Sequence, residues 1–122
     1  EQQVWDIIKR YRIRVHPCYY MGWGRCSCKF CIFGNKNQFA SAASVSPEQI
    51  GRIIKLERDF GYTLKKNLSL PELIAMGCVY KNVTPELQCL ATSYNYEQAI
   101  ILPVAEEWTL PAGAFGENCG AI

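Results

Sequence analysis

Sulfur and imidazole donors gather in one short stretch of this sequence. Cys26, Cys28 and Cys31 lie within six residues of one another, and His16 and Cys18 come shortly before them. Donors this close along the chain can converge on a thiophilic ion or an iron–sulfur cluster without a long loop being closed for each ligand. The stretch therefore predicts a metal site.

The ligands can be ranked by spacing. Cys28 and Cys31 have the two-residue spacer that lets both sulfurs face one ion, so they are the strongest candidates. Cys26 and Cys18 are the further candidates, two and ten residues before Cys28. His16 could replace Cys18 on zinc, but rarely on a cluster. The choice between zinc and an iron–sulfur cluster stays open, and so does the fourth ligand.

Three other interpretations of the cysteines remain. A redox dithiol expects a strand-to-helix setting, whereas the flanks of this motif are loop-like. A disulfide framework is disfavoured because the chain has seven cysteines, an odd number, and no apolar signal segment opens the sequence. The third interpretation is buried thiols without chemistry. It applies best to the cysteines that stand singly among apolar residues, Cys78, Cys89 and Cys119.

Length and composition indicate one globular domain over residues 1–122. About half of the 122 residues are hydrophobic and 20% are charged, which argues against a disordered chain. No apolar run approaches the length of a membrane span, so we expect no membrane partner and a cytoplasmic location.

Positive charge is concentrated near the donor-rich stretch. Although the net charge is only +2, seven of the thirteen basic residues fall between positions 9 and 36, where no acidic residue occurs. This asymmetry favours an anionic partner, such as a nucleotide phosphate, a sulfate, a nucleic-acid backbone or a thiolate cluster. The alternative is an ordinary solvated basic face.

Two longer helices are predicted to frame this stretch. Apolar residues recur at helical spacing between Val4 and Tyr11, which predicts an amphipathic helix from about residue 2 to 13. A second helix begins after Ser46, with Gln49 completing a capping box, and ends at Gly61. Its inward face is expected to run from Ile50 to Phe60.

The remaining signals are shorter. Ser69 begins a second predicted capping box, which Glu72 completes, and Thr84 directly precedes Pro85, so both residues are predicted to cap short helices. The predicted organisation is a cysteine-rich loop over about 14–37, a helical part over about 46–95 and a coil tail over about 103–122, the last lying on the surface from about Leu110. The fold class is mainly α with irregular loops, with α+β as the alternative.

Complete catalytic motifs are missing from the sequence. It contains neither a Gly-x-x-x-x-Gly-Lys phosphate loop nor a Gly-x-Ser-x-Gly nucleophile turn, and its one histidine limits acid–base chemistry. A metal loop among short helices is therefore expected to belong to something larger.

The order of motifs resembles the C-terminal region of the phosphoadenosine phosphosulfate (PAPS) reductase family, in its prophage and DNA-modification-associated branch. That region has a Val-Trp helix, then His-Pro-x-Tyr, then Gly-x-x-Arg-x-x-Cys-x-x-Cys. The resemblance covers roughly positions 4 to 77. The residues that carry it are Val4-Trp5-Asp6-Ile7-Ile8 and His16-Pro17-Cys18-Tyr19-Tyr20-Met21-Gly22-Trp23-Gly24-Arg25-Cys26-Ser27-Cys28-Lys29-Phe30-Cys31-Ile32-Phe33.

The resemblance implies a small C-terminal helical domain of an adenine nucleotide alpha hydrolase-like α/β protein. The N-terminal nucleotide-binding half would carry the Ser-Gly-Gly-x-Asp-Ser pyrophosphate loop, which this sequence lacks. The chain alone is therefore not expected to turn over substrate. Cys28 and Cys31 match the family's cysteine pair, and Arg25 matches its arginine near the anionic substrate. Cys26 departs from the family pattern, because that position is usually apolar.

A substrate-binding turn is expected beside the cysteines. Arg25 could hold a phosphate or sulfate through two hydrogen bonds, and Gly22 and Gly24 would let the backbone approach the same anion. Trp23 could stack on an adenine or shield a cluster, although core packing is an equal alternative for this side chain.

Two functions follow as hypotheses. In the first, this is the metal- or cluster-holding C-terminal portion of a PAPS reductase-like sulfur-transfer enzyme, closing over an anionic nucleotide or sulfur substrate. Its partner would be the missing nucleotide-binding domain. In the second, it is a zinc-knuckle module that grips nucleic acid without catalysis.

Overall fold

The computed structural model describes residues 1–116, and in that part of the chain it is mainly helical. Within residues 1–116, β pairing consists of two isolated antiparallel bridges, Ile13 with Ile101 and Lys65 with Leu68. No helix among these residues is long and apolar enough to cross a membrane. The mainly α fold class is confirmed. The helices are α1 (Gln2–Arg10), α2 (Pro17–Met21), α3 (Lys36–Val45), α4 (Pro47–Phe60), α5 (Leu70–Met76) and α6 (Pro85–Thr92).

The chain forms two compact units. Unit 1 consists of Glu1–Cys26 together with the described residues from Thr84 onward, and unit 2 consists of Ser27–Val83. Helices α2 and α6 pack together in unit 1, while α3 packs against both α4 and α5 in unit 2. Unit 1 therefore brings together two segments that are distant in the sequence.

Helix α1 is shorter than the sequence pattern predicts, and Arg12 fixes its exit. Arg12 has a left-handed backbone with φ of 55°, which is unusual for a residue with a Cβ. Its guanidinium donates to the backbone carbonyls of Leu102 (3.4 Å), Pro103 (2.8 Å) and Glu106. These bonds tie the end of α1 to the 102–106 segment of unit 1.

Helix α4 confirms the predicted start and stop, but its cap differs from the prediction. Pro47 opens the helix, and Gly61 ends it in the left-handed conformation with φ of 69°. Ser46 makes no capping hydrogen bond, because its hydroxyl accepts instead from the Lys29 ammonium at 2.6 Å. The same ammonium donates to Gln49 Oε1 at 3.2 Å. The predicted capping box of Ser46 and Gln49 is therefore wrong, because Lys29 binds the side chains of both residues.

The core of unit 2 forms around α3, a helix that the sequence pattern does not predict. Phe39, Ile50, Leu70 and Leu73 are its buried members. The predicted inward face of α4 is partly wrong, since Phe60 is 70% exposed. Helix α3 lacks a wide apolar stripe. Besides Phe39, the residues of α3 that are buried are small, namely Ala40, Ser41 and Ala42.

Gly77 allows α3 and the end of α5 to approach closely. A Cβ built at Gly77 would lie 2.1 Å from the Lys36 carbonyl oxygen, a contact that only a backbone shift could relieve. We expect Gly77→Ala to destabilise the protein by about 1 to 3 kcal/mol. In the control Gly51→Ala, the new Cβ meets nothing within 4 Å inside helix α4, so stability should rise by about 0.5 to 1 kcal/mol. Urea unfolding of both variants checks the opposite signs.

Helix α5 begins with the predicted capping box. The Glu72 amide donates to Ser69 Oγ, and the Glu72 carboxylate accepts from the Ser69 amide at 3.0 Å and the Ser69 hydroxyl at 2.6 Å. We expect Ser69→Ala to cost about 1 kcal/mol of stability in urea unfolding at pH 7. A loss below about 0.3 kcal/mol would show that the box contributes little.

The capping box of Ser69 and Glu72 also makes the stability of the protein depend on pH. The hydrogen bonds from Ser69 lower the pKa of Glu72 below its ordinary 4.5. A lowered folded-state pKa stabilises the fold above pH 4.5, and this contribution is lost as the pH falls through the folded-state pKa. We therefore expect acid to destabilise the wild type more than Glu72→Gln, measured by urea unfolding between pH 7 and pH 3.

The segment after Leu110 is irregular, as predicted, but the prediction that it lies on the surface is wrong up to Ala114. Pro111, Gly113 and Ala114 are buried in unit 1. The Gly113 amide donates to the Tyr19 carbonyl at 2.9 Å. Burial is possible because this glycine fits directly against the backbone of Trp23. The predicted tail beyond residue 116 lies outside the described residues.

Candidate metal centre

Helix α2 and the turn after it determine where the first two cysteines lie. Pro17 opens this short helix, and Gly22 ends it with φ of 120°, a conformation suited to glycine. The Gly22 and Trp23 amides both donate to the Cys18 carbonyl, at 3.2 and 3.0 Å. The chain therefore reverses directly after α2 and carries Cys26 back toward Cys18.

Tyr19 binds the segment that returns from this turn. Its hydroxyl accepts a hydrogen bond from the Cys26 amide at 3.1 Å. The Tyr19 ring packs edge-on against Trp5, with ring centroids 5.6 Å apart and an interplanar angle of 81°. Trp5 is buried in unit 1, so the Cys26 backbone is anchored to the core through two aromatic side chains.

Three donors converge in unit 1 as a result. His16, Cys18 and Cys26 each offer one ligand atom, and these atoms all lie within 4.8 Å of one another. Neither cysteine takes part in a disulfide. Tetrahedral zinc with thiolate and imidazole ligands requires donor separations of about 3.6 to 3.8 Å. A contraction of about 1 Å or less would complete that geometry, so the group could hold a metal ion.

The protonation of Cys18 controls how an ion would enter. Burial raises the pKa of the Cys18 thiol above its ordinary 9.0, and the adjacent Cys26 raises it further. The metal-free site therefore keeps this proton near neutral pH. An ion must displace it, since only the thiolate binds strongly.

His16 has a second task that competes with metal binding. Its Nδ1 accepts a hydrogen bond from the Cys18 amide at 3.1 Å and so caps α2. In the neutral imidazole the proton is then on Nε2, so binding through either nitrogen requires the cap bond to be given up. A cap contributes about 0.5 to 2 kcal/mol, whereas structural zinc binds with about 10 to 16 kcal/mol. A metal ion held with such an affinity would displace the cap bond.

The other predicted ligands lie in a different part of the fold. Cys28 and Cys31 fall in unit 2 and are not members of the three-donor group. Cys28 is exposed and Cys31 is half-buried. Their assignment as metal ligands stays a prediction. Of the predicted ligands, Cys18 and Cys26 belong to the group, together with the histidine that the sequence suggested as a replacement.

The predicted substrate-binding turn has two buried and two exposed members. Gly22 and Trp23 are buried, and the Trp23 side chain is only 6% exposed. Gly24 and Arg25 are exposed beside Cys26. Their binding of substrate stays a prediction, and core packing accounts for the position of Trp23.

Part of the basic stretch is engaged within the protein. Arg14 pairs with Glu106 at 2.9 Å and also donates to Gln98 Oε1 at 2.9 Å. Arg12 binds backbone carbonyls, and Lys29 binds two side chains near α4. At least three of the seven clustered basic residues therefore have structural contacts that explain their presence.

Sequence reasoning missed the supports of the donor group. Nothing in the composition indicates that the Tyr19 hydroxyl would hold the Cys26 amide, or that Gly113 would pack on Trp23 from 90 residues further along the chain. A built Cβ at Gly113 would lie 2.0 Å from the Trp23 carbonyl oxygen. The glycines and small residues of the 111–116 segment are a sequence signal that could have suggested such a close approach, because glycine has no Cβ.

A cavity of about 440 Å³ meets the donor group at His16, the member of the group that lines it. Tyr19 and Gly24 also line it, and in the sequence they stand next to Cys18 and close to Cys26. The other lining residues are mostly apolar. The apolar ones are Val4, Trp5, Ile8, Val15 and Ala114, and Glu1 adds one charged side chain.

Comparison with known proteins gives one partial similarity. A curated protein of Escherichia phage 186, described as an uncharacterized 37.8 kDa protein in the gpa 5' region, is 33% identical over 57 residues. These residues make up 47% of this chain and 17% of that protein, so the chain matches less than a fifth of the relative's length. No family model and no solved structure matches the chain.

Proposed function

We propose that this chain is the zinc-holding C-terminal portion of a PAPS reductase-like sulfur-transfer enzyme. The observation that carries the proposal is the convergence of His16, Cys18 and Cys26 within 4.8 Å. The ion would fix the turn that follows α2 and would hold Arg25, adjacent to Cys26, beside an anionic nucleotide or sulfur substrate. A reducing compartment such as the cytoplasm would keep the thiols available for the ion.

The donor set favours zinc over an iron–sulfur cluster. Clusters are usually held by four cysteine thiolates, whereas zinc binds mixed sets of cysteine and histidine readily. The group in unit 1 contains two thiols and one imidazole. Two thiolates would balance the charge of a zinc ion. Arg25, which is next to Cys26 in the sequence, would add a positive charge near the site.

Two observations support a place within a larger enzyme. The motif order from Val4 to Phe33 resembles that of the PAPS reductase family, and the matching phage protein is much longer than the matched segment. We propose that a nucleotide-binding domain supplies the pyrophosphate loop and that this portion supplies the metal-fixed turn. The chain alone would then bind metal without turning over substrate.

The nucleic-acid module has weaker support. Arg12 and Arg14 belong to the basic stretch that would contact phosphates in such a module, but both are engaged by carbonyl and carboxylate groups of unit 1. Their charge is therefore less available to a phosphate backbone.

Metal analysis of the purified chain tests the proposal. We expect about one zinc per chain after reconstitution under a phosphine reductant, with no visible colour. Iron with a brown colour would instead support a cluster. Less than about a tenth of an equivalent of either metal, after reconstitution with each, would exclude the metal-holding function.

The enzyme half of the proposal needs a separate test. We expect the chain alone to lack PAPS reductase activity, and the full reading frame that encodes it to bind an adenine nucleotide. A reading frame without an upstream nucleotide-binding domain would contradict this half while leaving the zinc site intact.

A further inference from the structure

We propose that the metal centre keeps an open fourth position and that a small thiol with an apolar body binds there, its body lying in the adjoining cavity of about 440 Å³. This inference rests on the proposed zinc function. It adds the chemical class of the ligand that the centre would take.

The donor count supports an open position. Zinc in proteins is four-coordinate, and unit 1 gathers three donors among the described residues, two thiols and one imidazole. A set of two cysteines and one histidine with a fourth position for a small molecule is a known arrangement of functional zinc, whereas purely structural sites fill all four positions from the protein.

The chemistry of the ion selects sulfur over water. Two thiolates neutralise the zinc charge, which weakens its ability to activate water, and they favour a further soft ligand. Binding is balanced in protons: the incoming S–H bond breaks, its proton passes to the buffer and a Zn–S bond forms. No electron is transferred, so no oxidant is needed.

The lining of the cavity determines which substituent on the thiol would bind best. His16, a donor, shares its wall with Trp5 and Tyr19, so a molecule bound to the ion on this side would meet mainly aromatic and aliphatic side chains, with Glu1 as the charged exception. Val4 is 58% exposed at the same cavity, which leaves an entry from solvent. A hydrophilic thiol would gain little from this wall, whereas an aromatic or aliphatic thiol would bury apolar surface against it.

Cobalt(II) substitution in the full 122-residue chain provides the test, with a phosphine as reductant. Phenylmethanethiol is the probe, and phenylmethanol is the control that lacks sulfur. We expect the thiol to raise the thiolate-to-cobalt charge-transfer absorption saturably by about one half, because the thiolate count rises from two to three, and to release one proton. Phenylmethanol should change neither signal.

A pair of variants tests the cavity. We expect Val4→Trp, which adds bulk at the cavity, to weaken thiol binding by about tenfold or more. Val104→Trp is the control, because Val104 is 93% exposed and does not line this cavity. It should bind the thiol as the wild type does. Equal binding in the two variants would remove the cavity from the proposal.

The outcomes separate this inference from the proposed function. A cobalt spectrum without any thiolate band contradicts both. A two-thiolate band that the probe leaves unchanged contradicts the open position alone. A band of three or more thiolates before the probe is added would mean that another cysteine already fills the fourth position, which also overturns the inference.

Discussion

Replacing Cys18 with serine should abolish the stabilisation of the protein by zinc. At a free zinc concentration of 100 times the dissociation constant, an ion that binds only the folded state adds about 2.7 kcal/mol. Cys18 is a half-buried member of the donor group, and serine would replace its thiolate by a weak hydroxyl ligand. Thermal unfolding with zinc and with a chelator measures the difference, which we expect in the wild type and not in the variant.

Cys89 provides the matched control. It is an exposed cysteine of unit 1 that forms no disulfide and does not belong to the donor group. Cys89→Ser should therefore keep the full response to zinc, and Cys26→Ser should lose it as Cys18→Ser does. If Cys18→Ser and Cys89→Ser responded alike, the donor group would not be the zinc site.

A variant of His16 separates its capping of α2 from its proposed binding of the metal ion. In His16→Asn, the new side chain remains a favoured helix cap for the Cys18 amide but lacks the imidazole. We expect the metal-free protein to keep its stability within about 0.5 kcal/mol and zinc affinity to fall about 100-fold or more. Unchanged zinc affinity would restrict His16 to capping.

Zinc affinity should also depend steeply on pH. Cys18 keeps its proton in the metal-free site, since burial raises the pKa of this thiol. Each ion must displace this proton, so zinc affinity should fall at least about tenfold for each unit of pH below 8. Titration with a competing chelator between pH 6 and 8 measures this slope.

Phe39→Ala should produce the largest loss of stability among simple core substitutions. Phe39 is 1% exposed at the centre of the unit 2 core and lies near Phe30, with ring centroids 6.3 Å apart. The Lys65 ammonium also lies 5.5 Å from its ring centroid. Truncation removes the burial, leaves a cavity and deletes both ring contacts, so we expect a loss of about 3 to 5 kcal/mol.

Phe60→Ala is the control of identical chemistry. Phe60 is 70% exposed at the end of α4, so its truncation should change stability by no more than about 0.5 kcal/mol. Guanidinium unfolding of both variants gives the comparison. A similar loss in the two would mean that α3 is not the centre of the core.

The sequence predicts those helices whose ends carry their own chemistry. Helix α4 is found because Pro47 opens it and Gly61 adopts the left-handed stop, and α5 is found through its capping box at Ser69. Helix α3 is missed because it is buried through small residues. Its close approach to Gly77 is a tertiary contact, which hydrophobic periodicity does not encode.

The candidate site is predicted in composition more than in geometry. Spacing ranks Cys28 and Cys31 first and offers Cys18 and Cys26 only as further candidates, whereas the three-donor group contains Cys18 and Cys26, which the local turn at Gly22 brings together. The preference for His16 over a third cysteine depends on how α2 is capped and on how Tyr19 holds the returning chain. These contacts arise from side-chain hydrogen bonds that spacing rules do not contain.

Gly113 also has a consequence for biosynthesis. The three donors emerge from the ribosome first, whereas the glycine that packs on Trp23 is translated after the whole of Ser27–Val83. At about 5 to 20 residues per second, roughly 4 to 17 seconds separate Cys26 from Gly113. For that interval the turn that carries the nascent thiols lacks its Gly113 contact, while the thiols already meet the metals and oxidants that the cell then holds.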